Sequence, residues 1–244
     1  MVFVGRGQES ARVVAELSRR RNVVVSGTYG VGRTTLVKHV ADVMGDAWRF
    51  LFLDFSRTPA QVCVELLRWL DPVGAGASGR SEPSLKSARA RILRLEPRDR
   101  RQRVIVLDNA CTVTVQKLKL LRPLVSTRRY RFVAITDNHI RGADLLQLRA
   151  SLYPVSVVTL SNLPRRHARE FFARIAADLH LDWGEGEIAG LASVPGGYPH
   201  MMMEAAARAA RRSQALHDVG LRPTRAREAD LLAGHCVGRN GWGR

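Results

Sequence analysis

The residues best suited to chemistry stand close together in one short stretch. Gly27-Thr28-Tyr29-Gly30-Val31-Gly32-Arg33-Thr34-Thr35 holds a glycine, four intervening residues, a second glycine, a cation and two hydroxyls. This matches the phosphate-binding spacing G-x-x-x-x-G-K-[ST] at every defined position except one, where Arg33 replaces lysine. Glycine suits such a loop because the backbone must take positive φ and come close to a phosphate. The N–H groups of the loop and of the helix that follows then form an anion site. Thr34 stands where a hydroxyl would ligate Mg²⁺ beside the β- and γ-phosphates. About eighty residues later, Val104-Ile105-Val106-Leu107 runs into Asp108. An aspartate ending an apolar strand beside a phosphate loop can hold the water shell of Mg²⁺. The next residue is Asn109, at a position where many ATPases carry a glutamate that activates the attacking water. A carboxamide cannot accept that proton.

The flanking elements follow from hydrophobic patterning. Val23–Ser26 is a β-branched strand leading into the loop, and a helix from Thr34 to about Met44 leaves it. Arg49–Phe55 is a second strand, whose nearly continuous apolar character suits a parallel sheet covered on both faces. Pro59–Leu70 and Leu85–Leu95 read as helices, joined by the small-residue linker Asp71–Pro83, expected to be a mobile surface loop. Arg103–Asn109, Tyr130–Asp137 and Val155–Leu160 supply three more strands. In the fourth strand Thr136 lies where a residue sensing the γ-phosphate would sit. Strands alternating with helices predict an α/β fold of three layers on a mainly parallel five-stranded sheet. From Leu163 the pattern turns helical and predicts a small bundle. The expected organisation is a nucleotide-binding α/β domain over 1–162, a helical subdomain over 163–215 and a basic tail over 216–244.

Charge narrows the choice of partners. The 244 residues carry 39 Lys+Arg against 22 Asp+Glu, a formal net charge of +17. That excess points to a polyanion, most simply nucleic acid. Three arginine clusters each precede a strand: Arg19-Arg20-Arg21, Arg98 and Arg100-Arg101 with Arg103, and Arg128-Arg129 with Arg131. In a parallel sheet these points share one edge, opposite a nucleotide at the strands' C-terminal ends. Base stacking is not expected from these clusters; contact with the phosphate backbone, with little sequence preference, is. The three cysteines are far apart and the histidines lack metal-ligand spacing. The first residues lack an apolar leader and no run reaches membrane-spanning length, so no membrane is expected and the location expected is cytoplasmic.

Taken together, these landmarks resemble the AAA+/STAND group of P-loop NTPases, closest to the NB-ARC-like ATPase modules of bacterial transcriptional activators. The resemblance rests on Phe3-Val4-Gly5-Arg6, on Gly27–Thr35 as Walker A and on Val106-Leu107-Asp108-Asn109-Ala110 as Walker B. Leu121-Arg122-Pro123-Leu124 and Gly196-Gly197-Tyr198-Pro199 complete it. It implies ATP and Mg²⁺ as cofactors. Val4, Gly5, Arg6 and Pro199 would flank the base, and Gly27, Gly30, Val31, Gly32, Arg33, Thr34 and Thr35 the phosphates. Thr34 and Asp108 would serve Mg²⁺, and Asp108, Asn109 and Thr136 would form the reactive end. Arg33 and Asn109 depart from the pattern and imply weak hydrolysis. A short ATPase module of high positive charge is also similar to transposon-encoded AAA+ regulators, which assemble on DNA and recruit a transposase. The function expected is a nucleotide-dependent, oligomeric switch that binds DNA and regulates a protein partner. The alternative is a STAND signalling module whose partner is a protein.

Overall fold

The computed structural model describes residues 2–72, 84–95, 101–193 and 196–218. It forms two compact units, one of Arg6–Ser161 and one of Met1–Gly5 with Asn162–Arg244. The first five residues thus join the second unit rather than the α/β domain. Much of the linker expected over 71–83 lies outside the described residues, as do Arg98, Arg100 and, from 219 onward, the basic tail.

The larger unit is built on β1 (Asn22–Gly27), β2 (Trp48–Asp54), β3 (Gln102–Asp108), β4 (Tyr130–Asp137) and β5 (Val155–Leu160). The sheet order is β2-β3-β4-β1-β5, and every neighbouring pair is parallel. All five strands therefore end at one edge and begin at the other. Val23, Val24, Val25, Val104, Val106, Val133 and Ala134 are completely buried. Consecutive buried residues point to opposite faces, so helices cover the central strands on both sides. β2 was expected to be buried in the same way, but most of its side chains are only half-buried. It closes the sheet and has a neighbour on one side only.

Helices α1 (Gly7–Ser18), α2 (Arg33–Met44), α3 (Pro59–Leu70), α4 (Leu85–Arg94), α5 (Val115–Ser126) and α6 (Gly142–Ser151) surround the sheet. Their starts are written locally. The Thr58 hydroxyl oxygen accepts a hydrogen bond from the Gln61 N–H while the Gln61 side-chain oxygen accepts one from the Thr58 N–H, and Pro59 supplies a pre-set first turn. Thr114 caps α5 through the N–H of Lys117. The core gathers Phe55, Leu66, Ile92, Ile105, Leu107, Leu121 and Phe132 from six different segments.

The smaller unit packs α7 (Arg165–Asp178), α8 (Glu185–Ser193) and α9 (Pro199–Asp218) around Phe171, Phe172, Trp183 and Met202, with Val4 joining them. Phe171 and Phe172 meet edge to face at 5.3 Å. The turn before α9 is fastened by the Leu163 N–H, which donates to the Gly197 carbonyl at 2.7 Å.

Candidate nucleotide site

β1 ends in Gly27, and the chain turns through Gly30 (φ +74°) and Gly32 (φ +95°) into α2. These left-handed conformations let the loop curl around an anion without strain. Gly27 is also required by space, since a Cβ there would lie 2.7 Å from Val31 Cγ1. Gly32 offers no side chain to cap α2, so the first N–H groups of the helix have no side-chain partner from the cap position. Arg6 holds the loop in place. Its guanidinium donates to the Val31 carbonyl at 3.3 Å and to the Ser161 carbonyl, and pairs with Glu9 at 2.9 Å. The residue expected beside the base is thus buried and ties the loop to the end of β5.

The strand order decides which side chains meet the loop. β4 lies between β1 and β3, so its C-terminal end stands between the glycine loop and Asp108. Thr34 Oγ1 donates to the Asp108 carboxylate at 3.2 and 3.3 Å. Burial pushes the Asp108 carboxyl above its ordinary range, opposed by the Asn109 N–H, the Thr34 hydroxyl and the charge of Arg33. A hydroxyl and a carboxylate in contact are hard oxygen donors, which suit Mg²⁺. Among the described residues no cluster of three or more His, Cys, Asp or Glu could hold a metal alone. A Mg²⁺ here would complete its shell with water and phosphate oxygens, which is its usual habit.

Arg33, in the lysine position of the loop, pairs with Asp137 at 3.3 Å and also donates to the Thr136 carbonyl. The two charged side chains are only 12% and 16% exposed. The register fixes which acids share a face. Asp54 is opposite Asp108, Leu107 opposite Ala134, and Gly27 opposite Asp137. By alternation, Asp54, Asp108 and Asp137 project from one face of the sheet and Thr136 from the other. The Thr136 hydroxyl, expected to face the γ-phosphate, is fully buried and has no hydrogen-bond partner among the described residues. At this strand end it is the side chain of Asp137 that meets the loop's cation. The sequence places Asp137 at the end of this strand but does not show that it meets Arg33.

Asn109 adopts φ +57°. Its N–H donates to Asp108 at 2.9 Å and its amide to Asp54 at 3.4 Å. Asp54 was not singled out from the sequence. Burial raises its proton affinity, yet hydrogen bonds from Ser56 and Asn109 and the charge of Arg57 outweigh it and hold the carboxyl below the ordinary range. Beneath these acids Lys117 is buried. Its Nζ donates to the carbonyls of Phe55 at 2.5 Å and Thr112 at 3.3 Å, which anchors the turn after β2.

Of the remaining expected site residues, Val4, Gly5 and Pro199 belong to the smaller unit. Val4 is part of its core, and Gly5 (φ +69°) lies against His167, leaving no room for a Cβ. Pro199 is the first residue of α9. The arginine clusters do begin β1, β3 and β4, at the edge opposite the loop. Arg19, Arg20, Arg21, Arg101, Arg128 and Arg129 are exposed, while Arg103 and Arg131 are buried, each only 6% exposed. Both lie inside strands covered on two faces, which removes them from the exposed basic surface.

No protein-family model matches the sequence, and no curated protein matches it. Solved structures do. Orc1 of Aeropyrum pernix in complex with DNA superposes with a TM-score of 0.62 at 14% identity, over 96% of this chain and 66% of that one. Cdc6p of Pyrobaculum aerophilum gives 0.66 at 13% identity, over 88% and 63%. ORC2 of Aeropyrum pernix, in ADPNP–ADP complexes, gives 0.66 at 12%, over 96% and 68%. The chain therefore spans about two thirds of the length of these proteins, and under two thirds of Cdc6p. The likeness is one of fold. The chain has an α/β P-loop-like fold on a parallel five-stranded sheet and shares its fold with these structures. Among the described residues no helix is long and apolar enough to cross a membrane.

Proposed function

We propose that this chain is an AAA+-type switch that binds ATP with Mg²⁺, assembles into an oligomer on DNA, and in that state regulates a protein partner such as a transposase. The observation that carries the nucleotide half is the contact of Thr34 with Asp108 at 3.2 Å, beside an uncapped helix N-terminus and its glycine loop. Sequence neighbours could not make that contact, because 74 residues separate the two. In this reading the loop and α2 hold the phosphates. Thr34 and Asp108 hold the hydrated metal, and Arg33 exchanges Asp137 for phosphate oxygen. Bound Mg²⁺ would neutralise phosphate charge. Turnover is slow, because Asn109 takes no proton, and a switch needs only occupancy. The DNA half is supported by the net charge of +17 and by the exposed arginines at the edge where β1, β3 and β4 begin.

The test is binding to a labelled DNA duplex across a salt series, with and without ATP and Mg²⁺. Affinity that needs ATP and falls steeply with salt is the expected result. ATP binding without DNA affinity at physiological salt would overturn the DNA half and leave a signalling module with a protein partner. Absence of ATP binding would overturn the whole reading.

A further inference from the structure

The edge at which the strands begin carries one residue that the charge pattern did not reveal. Tyr153, just before β5, is 77% exposed, more than any other large apolar side chain among the described residues. β5 is the neighbour of β1, so Tyr153 stands beside the arginines that enter β1 although 132 residues separate it from Arg21. Read along this edge, the segments entering β3, β4, β1 and β5 supply Arg101, Arg128 with Arg129, Arg19 to Arg21, and then Tyr153.

The platform is rigid. Asn22, the first residue of β1, is buried and fastens three strands at once. Its N–H donates to the Pro154 carbonyl at 2.9 Å and its side-chain amide to the Leu152 carbonyl at 2.6 Å. Its side-chain oxygen accepts from the Phe132 N–H at 2.9 Å. The carbonyls on either side of Tyr153 are thus both tied to the residue that follows Arg21. The neighbouring charge is in excess. Arg19 and Arg21 share the single carboxylate of Glu16 at 3.6 and 3.5 Å, with their side chains 68% and 55% exposed. The charge of Arg20 reaches Arg131, whose proton affinity is lowered chiefly by burial and further by Arg20.

We propose that this edge binds a single-stranded stretch of nucleic acid, with phosphates along the arginine row and a base stacked on Tyr153. An exposed aromatic ring carried on an anchored backbone in a basic row offers both contacts that non-specific single-strand binders combine. Strands lie about 4.8 Å apart, so the row from β3 to β5 covers about 14 Å, room for a few nucleotides. A duplex hides its base faces in its own stack and gains nothing from the ring. The proposal rests on the basic-edge half of the preceding reading and adds a preference that phosphate contact alone does not give.

The experiment compares a labelled single strand with its own duplex, in a salt series, by fluorescence anisotropy. The proteins are the full chain and its Tyr153→Ala, Tyr153→Phe and Tyr153→Leu variants, each checked for ATP binding as evidence of folding. The wild type should prefer the single strand. Tyr153→Ala and Tyr153→Leu should each weaken single-strand binding about tenfold while duplex affinity and salt dependence stay unchanged, and Tyr153→Phe should behave as wild type. Tyr153→Leu keeps an apolar side chain without a π-face, so it decides the matter if the alanine variant fails to fold. Unchanged single-strand binding by Tyr153→Leu, or an equal loss for duplex, would overturn the stacking proposal while leaving the basic edge intact. No binding of either probe by the wild type would overturn both.

Discussion

The ion pair of Arg33 with Asp137 makes a measurable claim about how the loop meets nucleotide. At 3.3 Å, two unit charges attract by about 5 kcal/mol at an effective dielectric of about 20. Desolvation offsets much of this, because both side chains are largely buried. Asp137→Asn therefore leaves Arg33 with the Thr136 carbonyl and the weaker attraction of Asp108, and should cost the nucleotide-free protein about 2 kcal/mol, below the roughly 3–5 kcal/mol of a buried charge left wholly alone. For a unit the size of Arg6–Ser161 that is a drop in Tm of about 4–8 °C. Phosphate oxygens can supply the lost negative charge. The deficit should then shrink in Mg²⁺·ATP, and the variant should bind ATP about tenfold more tightly than wild type. Thermal denaturation with and without Mg²⁺·ATP, together with titration calorimetry, reads both quantities. The reasoning is refuted if the loss is the same in both states. It is refuted equally if Asp137→Asn binds ATP more weakly, since Asp137 would then be presenting Arg33 to phosphate rather than competing for it.

Asp108 supports a prediction with opposite signs in two observables. Its carboxyl is raised by burial, so the folded state holds the proton more tightly than the unfolded chain does. The ionised form costs stability above the raised folded value, and that cost is relieved as pH falls through it. Mg²⁺-dependent ATP binding needs the ionised form and should fade over the same window, just above the ordinary carboxylate range. Asp108→Asn should accordingly raise Tm without metal while losing about 10–100-fold in Mg²⁺-dependent affinity, by melting curves and metal titration. In the smaller unit, Gly197 has φ +72°, and a Cβ there would lie 1.8 Å from the Leu163 carbonyl oxygen. Gly197→Ala should cost about 3 kcal/mol or more, followed through the fluorescence of buried Trp183, whereas Gly184→Ala, which meets nothing within 4 Å, should fall within about 0.5 kcal/mol of wild type.

The parts of this molecule that sequence reveals are those encoded by neighbours. The β-branched run before Gly27 and the capping box at Thr58 each state their own conformation, and the strands and first helices follow from such signals. What escaped depends on the order of the strands, which helical crossovers do not encode locally. Asp137 meets Arg33 because β4 is inserted between β1 and β3. Asp54 stands beside Asp108 because β2 is the outer neighbour of β3. Tyr153 reaches the arginines because β5 pairs with β1 rather than with β4. The burial of Arg103 and Arg131 has the same origin, since a strand flanked on both sides hides even its charged first residues. Arg6 was expected beside a base, and its partners Val31 and Ser161 come from the turn after β1 and the end of β5, which only the fold brings to it.

A sheet whose strands all run one way also sorts charge by direction. Asp54, Asp108 and Asp137 stand where three strands finish, and the exposed arginines stand where strands start. β1, only six residues long, covers the distance between the two ends in about 20 Å. Arg33 and Arg57 offset two of those acids, whereas the arginines at the strand starts outnumber the acids beside them, so that end of the larger unit carries uncompensated positive charge. In the field of a polyanion such a body feels a torque before it feels a contact, and it turns its arginine end forward. On the proposed reading, the glycine loop would then be at the trailing end, where nucleotide would exchange without passing the bound strand.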